Sequence, residues 1–182
     1  EKKLGAGKVM VIRERPGADP QLFEFASGLR LPHDIVFHSI NGVMYVYIAE
    51  SYRISRTVYW QGDLTARALQ VVVPSLPDGS TPELNGPHAH ALKNIALDRN
   101  HKLYVSNAST CNACVLDNIS NPVRGAIYQY NADGTGARLF ARGIRNAEGL
   151  AMLPGTDELW VIVNGRDEIL YPRQDTTGNF RK

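Results

Sequence analysis

The sequence predicts an all-β chain folded as about three blades of a β-propeller. Three observations predict it: short β-branched and aromatic runs separated by turn dipeptides, no extended helical periodicity, and a segment that recurs in register further along the chain. The runs are Val9-Met10-Val11-Ile12, Met44-Tyr45-Val46-Tyr47-Ile48, Leu69-Gln70-Val71-Val72-Val73, Leu103-Tyr104-Val105 and Leu159-Trp160-Val161-Ile162-Val163. Asn41-Gly42, Asp78-Gly79, Asp133-Gly134 and Pro154-Gly155 punctuate them, and such dipeptides supply the turn geometry that joins strands.

The repeat organises these runs. Gly28-Leu29-Arg30-Leu31-Pro32-His33-Asp34-Ile35-Val36-Phe37 aligns without gaps on Gly143-Ile144-Arg145-Asn146-Ala147-Glu148-Gly149-Leu150-Ala151-Met152, an offset of 115 residues that carries Tyr45 onto Trp160. A third copy, Lys93-Asn94-Ile95-Ala96-Leu97 followed by Leu103-Tyr104-Val105, lies between them. Each unit reads as an apolar strand, a turn and an aromatic-bearing strand. An outer hairpin such as Ala126-Ile127-Tyr128-Gln129-Tyr130 with Ala137-Arg138-Leu139-Phe140 completes it. Four short strands in each unit suit a propeller blade. The expected repeats are residues 28–85, 86–142 and 143–182 of one partial domain spanning 1–182. A propeller ring normally closes with at least four blades, so three leave raw edges and an open apolar wall. The expected partner is therefore the remaining half of the propeller, from the same polypeptide or another chain.

Composition narrows the function classes. Hydrophobic residues make up 43% and charged residues 21%, ordinary for a globular protein. A formal charge of +2 gives no reason to expect nucleic acid or an anionic membrane as partner. There is no apolar run long enough to span a bilayer, and Glu1-Lys2-Lys3-Leu4 does not begin a signal peptide. The chain reads as cytoplasmic or as the mature form of an exported protein. The two cysteines stand as Cys111-Asn112-Ala113-Cys114, a spacing open to a local disulfide, half a zinc site or redox exchange. No second ligand pair at zinc spacing accompanies them, and haem attachment needs histidine where Val115 stands. A structural loop disulfide in an oxidising compartment is the simplest reading.

Chemistry in propellers gathers where the innermost strands feed loops at one end of the channel. Three segments place unusual polar residues there. Asn85-Gly86-Pro87-His88-Ala89-His90-Ala91-Leu92-Lys93 offers His90 as a general base, its unperturbed titration lying near neutrality; the alternating His88 and His90 equally suit metal ligation or a plain loop. Arg142-Gly143-Ile144-Arg145-Asn146 offers Arg145, whose planar fork matches carboxylates or stabilises packing between blades. Val163-Asn164-Gly165-Arg166-Asp167-Glu168 offers carbonyls and carboxylates suited to Ca²⁺, or a solvated acidic turn.

In order and spacing these segments resemble the glucose/sorbosone dehydrogenase family, the soluble quinoprotein propellers. His90-Ala91-Leu92-Lys93-Asn94-Ile95 before Lys102-Leu103-Tyr104-Val105 is similar to the family's His-x-x-(Arg/Lys)-x-(Ile/Leu) element ahead of its Lys-Leu-Tyr-Val strand. Cys111-Asn112-Ala113-Cys114 resembles the Cys-Asn-x-Cys loop of the sorbosone dehydrogenase-like branch. Asn131-Ala132-Asp133-Gly134 with Phe140-Ala141-Arg142-Gly143-Ile144-Arg145-Asn146 matches that branch's Asn-Pro-Asp-Gly and Phe-Ala-x-Gly-x-Arg-Asn. The resemblance runs from about Leu31 to Glu168. It implies a six-bladed propeller, of which this chain is the N-terminal half, and a dehydrogenase that uses pyrroloquinoline quinone (PQQ) and Ca²⁺ to oxidise an aldose or related sugar. By that resemblance His90 is the base, with Arg145 at the reactive quinone oxygens. Asn146 and Lys93 hold the cofactor, while Gly165 and Arg166 give backbone carbonyls to Ca²⁺. It also implies a periplasmic or secreted location. The family's other cofactor-binding lysine and arginines lie in later blades. Two other classes compete: a Ca²⁺-dependent lactonase built on Glu148, Asn164 and Asp167, and a non-catalytic propeller that binds a partner across its loop face.

Overall fold

The computed structural model describes residues 5–78, 90–166 and 177. It is all-β: four antiparallel sheets, a single short 3₁₀ turn at Val115–Ile119, and no α-helix among the described residues. No helix is long and apolar enough to cross a membrane.

The chain starts with a long hairpin, β1 (Gly7–Arg15) and β2 (Ala18–Leu29). Its second strand is missing from the expectation above, although Gln21-Leu22-Phe23-Glu24-Phe25 alternates as a half-buried strand does. Next comes a four-stranded meander in spatial order β3 (Asp34–Ile40), β4 (Val43–Ala49), β5 (Ile54–Val58) and β6 (Gln70–Val73). A second meander follows in the same consecutive order: β7 (Ile95–Leu97), β8 (Lys102–Asn107), β9 (Ala126–Asn131) and β10 (Arg138–Arg142). The hairpin of β11 (Asn146–Met152) and β12 (Leu159–Asn164) closes the described chain. Two meanders of four neighbouring strands are consistent with blades of a propeller fragment.

Period-two alternation explains the packing. Along β4, Val46 and Ile48 face the first hairpin, where they bury with Phe25, Ala26 and Leu29. Tyr47 and Ala49 face the other way, into a core shared with Ile95, Leu97, Leu103 and Val105 of the next sheet. The sheet is thus buried on both faces, and its sequence is continuously apolar rather than alternating.

Polar contacts fix the angle between the meanders. The Tyr47 hydroxyl donates to the Ala132 carbonyl at 2.8 Å, and Arg56 Nη1 donates to that carbonyl at 3.0 Å. Gly134, two residues on, has φ +87°, and a Cβ there would lie 1.8 Å from the Val72 carbonyl oxygen. Gly134→Ala is therefore expected to cost about 2–4 kcal/mol, read as a lower urea midpoint. Gly155, also left-handed at φ +79° but with nothing within 4 Å, bears only the backbone strain. Gly155→Ala should cost about 1 kcal/mol. Equal costs for the two would show that close packing against β6 is not what Gly134 serves.

The third repeat departs from a constant offset. Tyr45 stands opposite His38, which the 115-residue offset carries onto Leu153, yet Trp160 stands opposite Ala151. A longer connection than Asn41-Gly42 sets this shift, and a register irregularity between Ala147 and Gly149 widens it by one residue toward the other end of the hairpin. The outer face of this hairpin is apolar and open: Trp160 is 62% and Ile162 69% exposed. Such a face is unusual unless something covers it. The polar stretch from Tyr171 to Lys182 lies, apart from Thr177, outside the described residues.

Candidate functional site

The three first strands, β3, β7 and β11, lie side by side, each contacting the next. Their leading ends are stitched together by polar groups. Asp34 Oδ2 accepts the Ile95 N–H at 2.9 Å, and Asn94 Nδ2 donates to the Ala147 carbonyl at 2.7 Å. The segments just ahead of β7 and β11 are those that carry His90 and Arg145. Topology therefore brings together residues that stand far apart in sequence.

Ser109 joins the two. His90 Nδ1 lies 3.0 Å from the Ser109 carbonyl oxygen, and the Ser109 N–H donates to the Arg145 carbonyl at 2.8 Å. A carbonyl only accepts, so His90 Nδ1 carries a proton, and in the neutral ring the lone pair is left on Nε2. This is the tautomer a general base requires. Arg145 is gripped in turn: Nε donates to the Asn112 carbonyl at 3.0 Å, Nη2 to Asn112 Oδ1 at 3.0 Å, and Nη1 to the Asn164 carbonyl at 3.3 Å. Cys111 and Cys114 are joined as a disulfide around Asn112. Beside the loop opens a cleft of about 240 Å³ whose lining includes Ser109, Asn112, Arg124 and Arg145.

Asn146 is buried and donates its amide to Glu148. Lys93 is wholly buried, and its ammonium donates to the Ala91 carbonyl at 3.0 Å. Burial, with repulsion from Arg124 next, lowers its pKa to about 7. Arg124, 1% exposed, donates from Nε to the Ala108 carbonyl at 2.8 Å, while Nη1 and Nη2 are buried with no hydrogen-bond partner among the described residues. Burial also lowers the Arg124 pKa. Asp78 attracts both cations but already receives Ser51 Oγ at 2.9 Å and Arg30 Nη2 at 3.1 Å. Asp117 is likewise engaged, taking the N–H and hydroxyl of Thr110. Among the described residues, Lys93 and Arg124 are therefore buried beside carboxylates that are already hydrogen-bonded to other groups.

Lys93 makes stability depend on pH. An unfolded chain holds the lysine proton up to about pH 10.5, and the folded chain releases it near 7. Between those values the unfolded state binds more protons, so stability rises with pH, by ~1 kcal/mol per unit at most. Urea titrations at pH 7 and 9.5 should show this rise in the parent protein and a smaller one in Lys93→Met. An equal slope in both would assign the rise to other groups.

The other sequence candidates are distributed as follows. Gly165 and Arg166 are exposed beyond β12, and the carbonyl just before them, that of Asn164, already faces a guanidinium. His88, Asp167 and Glu168 lie outside the described residues. Among the described residues, no group of three His, Cys, Asp or Glu side chains stands together for a metal. Of the lactonase-type set, Glu148 accepts the Asn146 amide and Asn164 gives its carbonyl to Arg145, while Asp167 is outside the described residues. Sequence reasoning missed Ser109, Arg124 and Asp78. Ser109 acts here through its main chain, which leaves no signature, and Arg124 is one arginine in a polar loop. Asn112 was legible as part of the cysteine motif, though not its hold on Arg145.

No protein-family model matches the chain, and no curated protein matches it in sequence. Solved structures do resemble it. A Trichoderma reesei member of Carbohydrate-Active Enzymes Family AA12 superposes in its iodide structure with TM-score 0.67 and 17% identity, over 90% of this chain and 42% of that one. Its calcium structure gives TM-score 0.67 and 15% identity, over 89% and 42%. The holo form of the PQQ domain of a pyranose dehydrogenase from Coprinopsis cinerea gives 0.50 and 13%, over 68% and 41%. At these identities the likeness is one of fold. The chain spans about two fifths of the length of each.

Proposed function

We propose that this chain supplies about three blades, the repeats 28–85, 86–142 and 143–182, of a six-bladed β-propeller oxidoreductase that uses PQQ to oxidise an aldose or related sugar. The observation that carries the reading is the fixed His90 tautomer, held by Ser109 in the same network as Arg145. The fold shared with a PQQ domain and with a carbohydrate-active enzyme supports it. So do the sequence motifs, on which alone the placement near the sorbosone dehydrogenase-like branch rests. The Cys111–Cys114 disulfide supports a periplasmic or secreted location. The open face of Trp160 and Ile162 suits the next blade, from the same polypeptide or another chain.

The residues present fit an anionic cofactor. PQQ carries three carboxylates, and among the described residues two guanidinium nitrogens of Arg124 find no partner, while the buried Lys93 ammonium meets the Ala91 carbonyl. Buried cations are costly until an anion pairs with them. Lys93, Arg124, Arg145 and Asn146 would hold the cofactor, with further cations from the later blades. When bound, the quinone would supply an electrophilic hydride acceptor, the chemistry that side chains lack. His90 removes the sugar hydroxyl proton at Nε2 while Nδ1 stays bonded to Ser109. Arg145 places positive charge where negative charge develops. Calcium fits less well, because it takes six to eight oxygens and the described donors at Gly165 and Arg166 are two carbonyls beside a guanidinium. No step is assigned to it.

The test is to add PQQ, with and without Ca²⁺, to the full-length protein, record the bound quinone after dialysis, and assay dye reduction with a panel of aldoses. Retained quinone with sugar-dependent reduction supports the reading. Retained quinone without reduction by any sugar overturns the substrate class. No retained quinone overturns the cofactor and leaves a binding propeller.

A further inference from the structure

The loop between Ser109 and Asp117 has little hydrophobic reason to hold a fixed shape. Val115 is 79% and Leu116 75% exposed, and only the 3₁₀ turn follows. Polar and covalent links order it, among them the Thr110–Asp117 hydrogen bonds, the Asp117 N–H on the Cys114 carbonyl and the covalent closure of Cys111 on Cys114. A short exposed loop without such closure samples many conformations, and a cross-link removes most of them.

What the closed loop presents is specific. Asn112 offers two oxygens, main-chain and side-chain, to two nitrogens of the Arg145 fork, each at 3.0 Å. That is the geometry by which a guanidinium is held in one orientation rather than merely attracted. The same loop reaches His90: Ser109 Oγ donates to the Cys111 carbonyl at 2.9 Å, and the Ser109 carbonyl accepts from His90 Nδ1 at 3.0 Å. One four-residue ring therefore touches the supports of both groups. We infer that the Cys111–Cys114 disulfide is a positioning device for Arg145, acting through Asn112. Opening it loosens the two-point hold of Asn112 on the guanidinium, leaving the bond from Nη1 to the Asn164 carbonyl, without unfolding the sheets, whose cores contain no residue of this loop. Opening needs a dithiol. It gives up two electrons and two protons, the S–S bond breaks, two cysteine thiols form, and the dithiol leaves as its own disulfide.

This rests on the role of Arg145 proposed above, so the experiment carries two independent readouts on the full-length protein. The first needs no cofactor: the Arg145 Nε–H resonance, assigned by its loss in Arg145→Lys. In the oxidised protein it should be a resolved, slowly exchanging signal. Dithiothreitol, or Cys111→Ala with Cys114→Ala, should broaden it or shift it to the position of a solvated guanidinium. Far-UV circular dichroism should stay unchanged. The second readout is quinone affinity and kcat. Asn112→Ala and the reduced protein should lose about 10-fold or more, since small misplacements of a catalytic group are amplified. Asn112→Asp, which keeps both oxygens, should stay within about threefold of the parent. The double cysteine variant should show the parent's reduced level and no further response to dithiothreitol. A resonance indifferent to reduction and to Asn112→Ala overturns the inference whether or not quinone binds. A resonance that responds in a protein that binds no quinone upholds the clamp and overturns the cofactor reading.

Discussion

His90→Gln is expected to lower kcat for sugar oxidation by about 10²–10⁴-fold while quinone affinity changes by no more than about threefold. The magnitude is that of removing a positioned general base. Glutamine keeps an amide that can donate to the Ser109 carbonyl in place of Nδ1, so the loop beyond it should stay in place. What is lost is the nitrogen with the free lone pair. Separate measurement of kcat and of quinone binding by absorbance distinguishes this from local collapse, which would weaken both. Full turnover in His90→Gln would remove the base assignment, and His88, two residues earlier, would be the next to replace.

Arg124→Met should move two quantities in opposite directions. Without cofactor, Tm should rise by several degrees. A buried guanidinium with two unpartnered nitrogens, crowded by Lys93, is replaced by an apolar chain of similar length. The lost Nε bond to the Ala108 carbonyl offsets about 1 kcal/mol of that gain. Quinone affinity should fall by about 10²-fold, as when one partner of a buried charge pair is removed. The stabilisation that PQQ confers should shrink with it. Opposite signs mark a cation kept for a ligand. A lower Tm with unchanged affinity would mark a structural arginine and take away the main support for an anionic cofactor among these residues.

The sequence carried the fold class well because strand chemistry is local. Alternation, β-branching and turn dipeptides are read within a few residues, and the repeat multiplied that signal. The first hairpin shows the limit. β2 is absent from the expected strands although Leu22, Phe23 and Phe25 stand in it; it opens on Ala18, Asp19 and Pro20, residue types that strands disfavour. The register of the third repeat was also out of reach. The irregularity at Glu148 is one residue inserted against a partner strand, invisible until the partner is known.

The candidate site divides in the same way. By itself, the sequence determined an all-β repeat protein, the candidates His90, Arg145 and Asn146 at the head of repeated strands, and a cysteine pair close enough to bridge. Each of these is a property of neighbours along the chain. Only the tertiary structure decided that His90 shares Ser109 with Arg145, that Asn112 holds the guanidinium, and that Lys93 and Arg124 are buried near each other. Those facts depend on which strand ends meet and which groups lose their water. Burial turns an ordinary lysine or arginine into a costly, ligand-seeking one, and burial is a property of the fold rather than of any stretch of sequence.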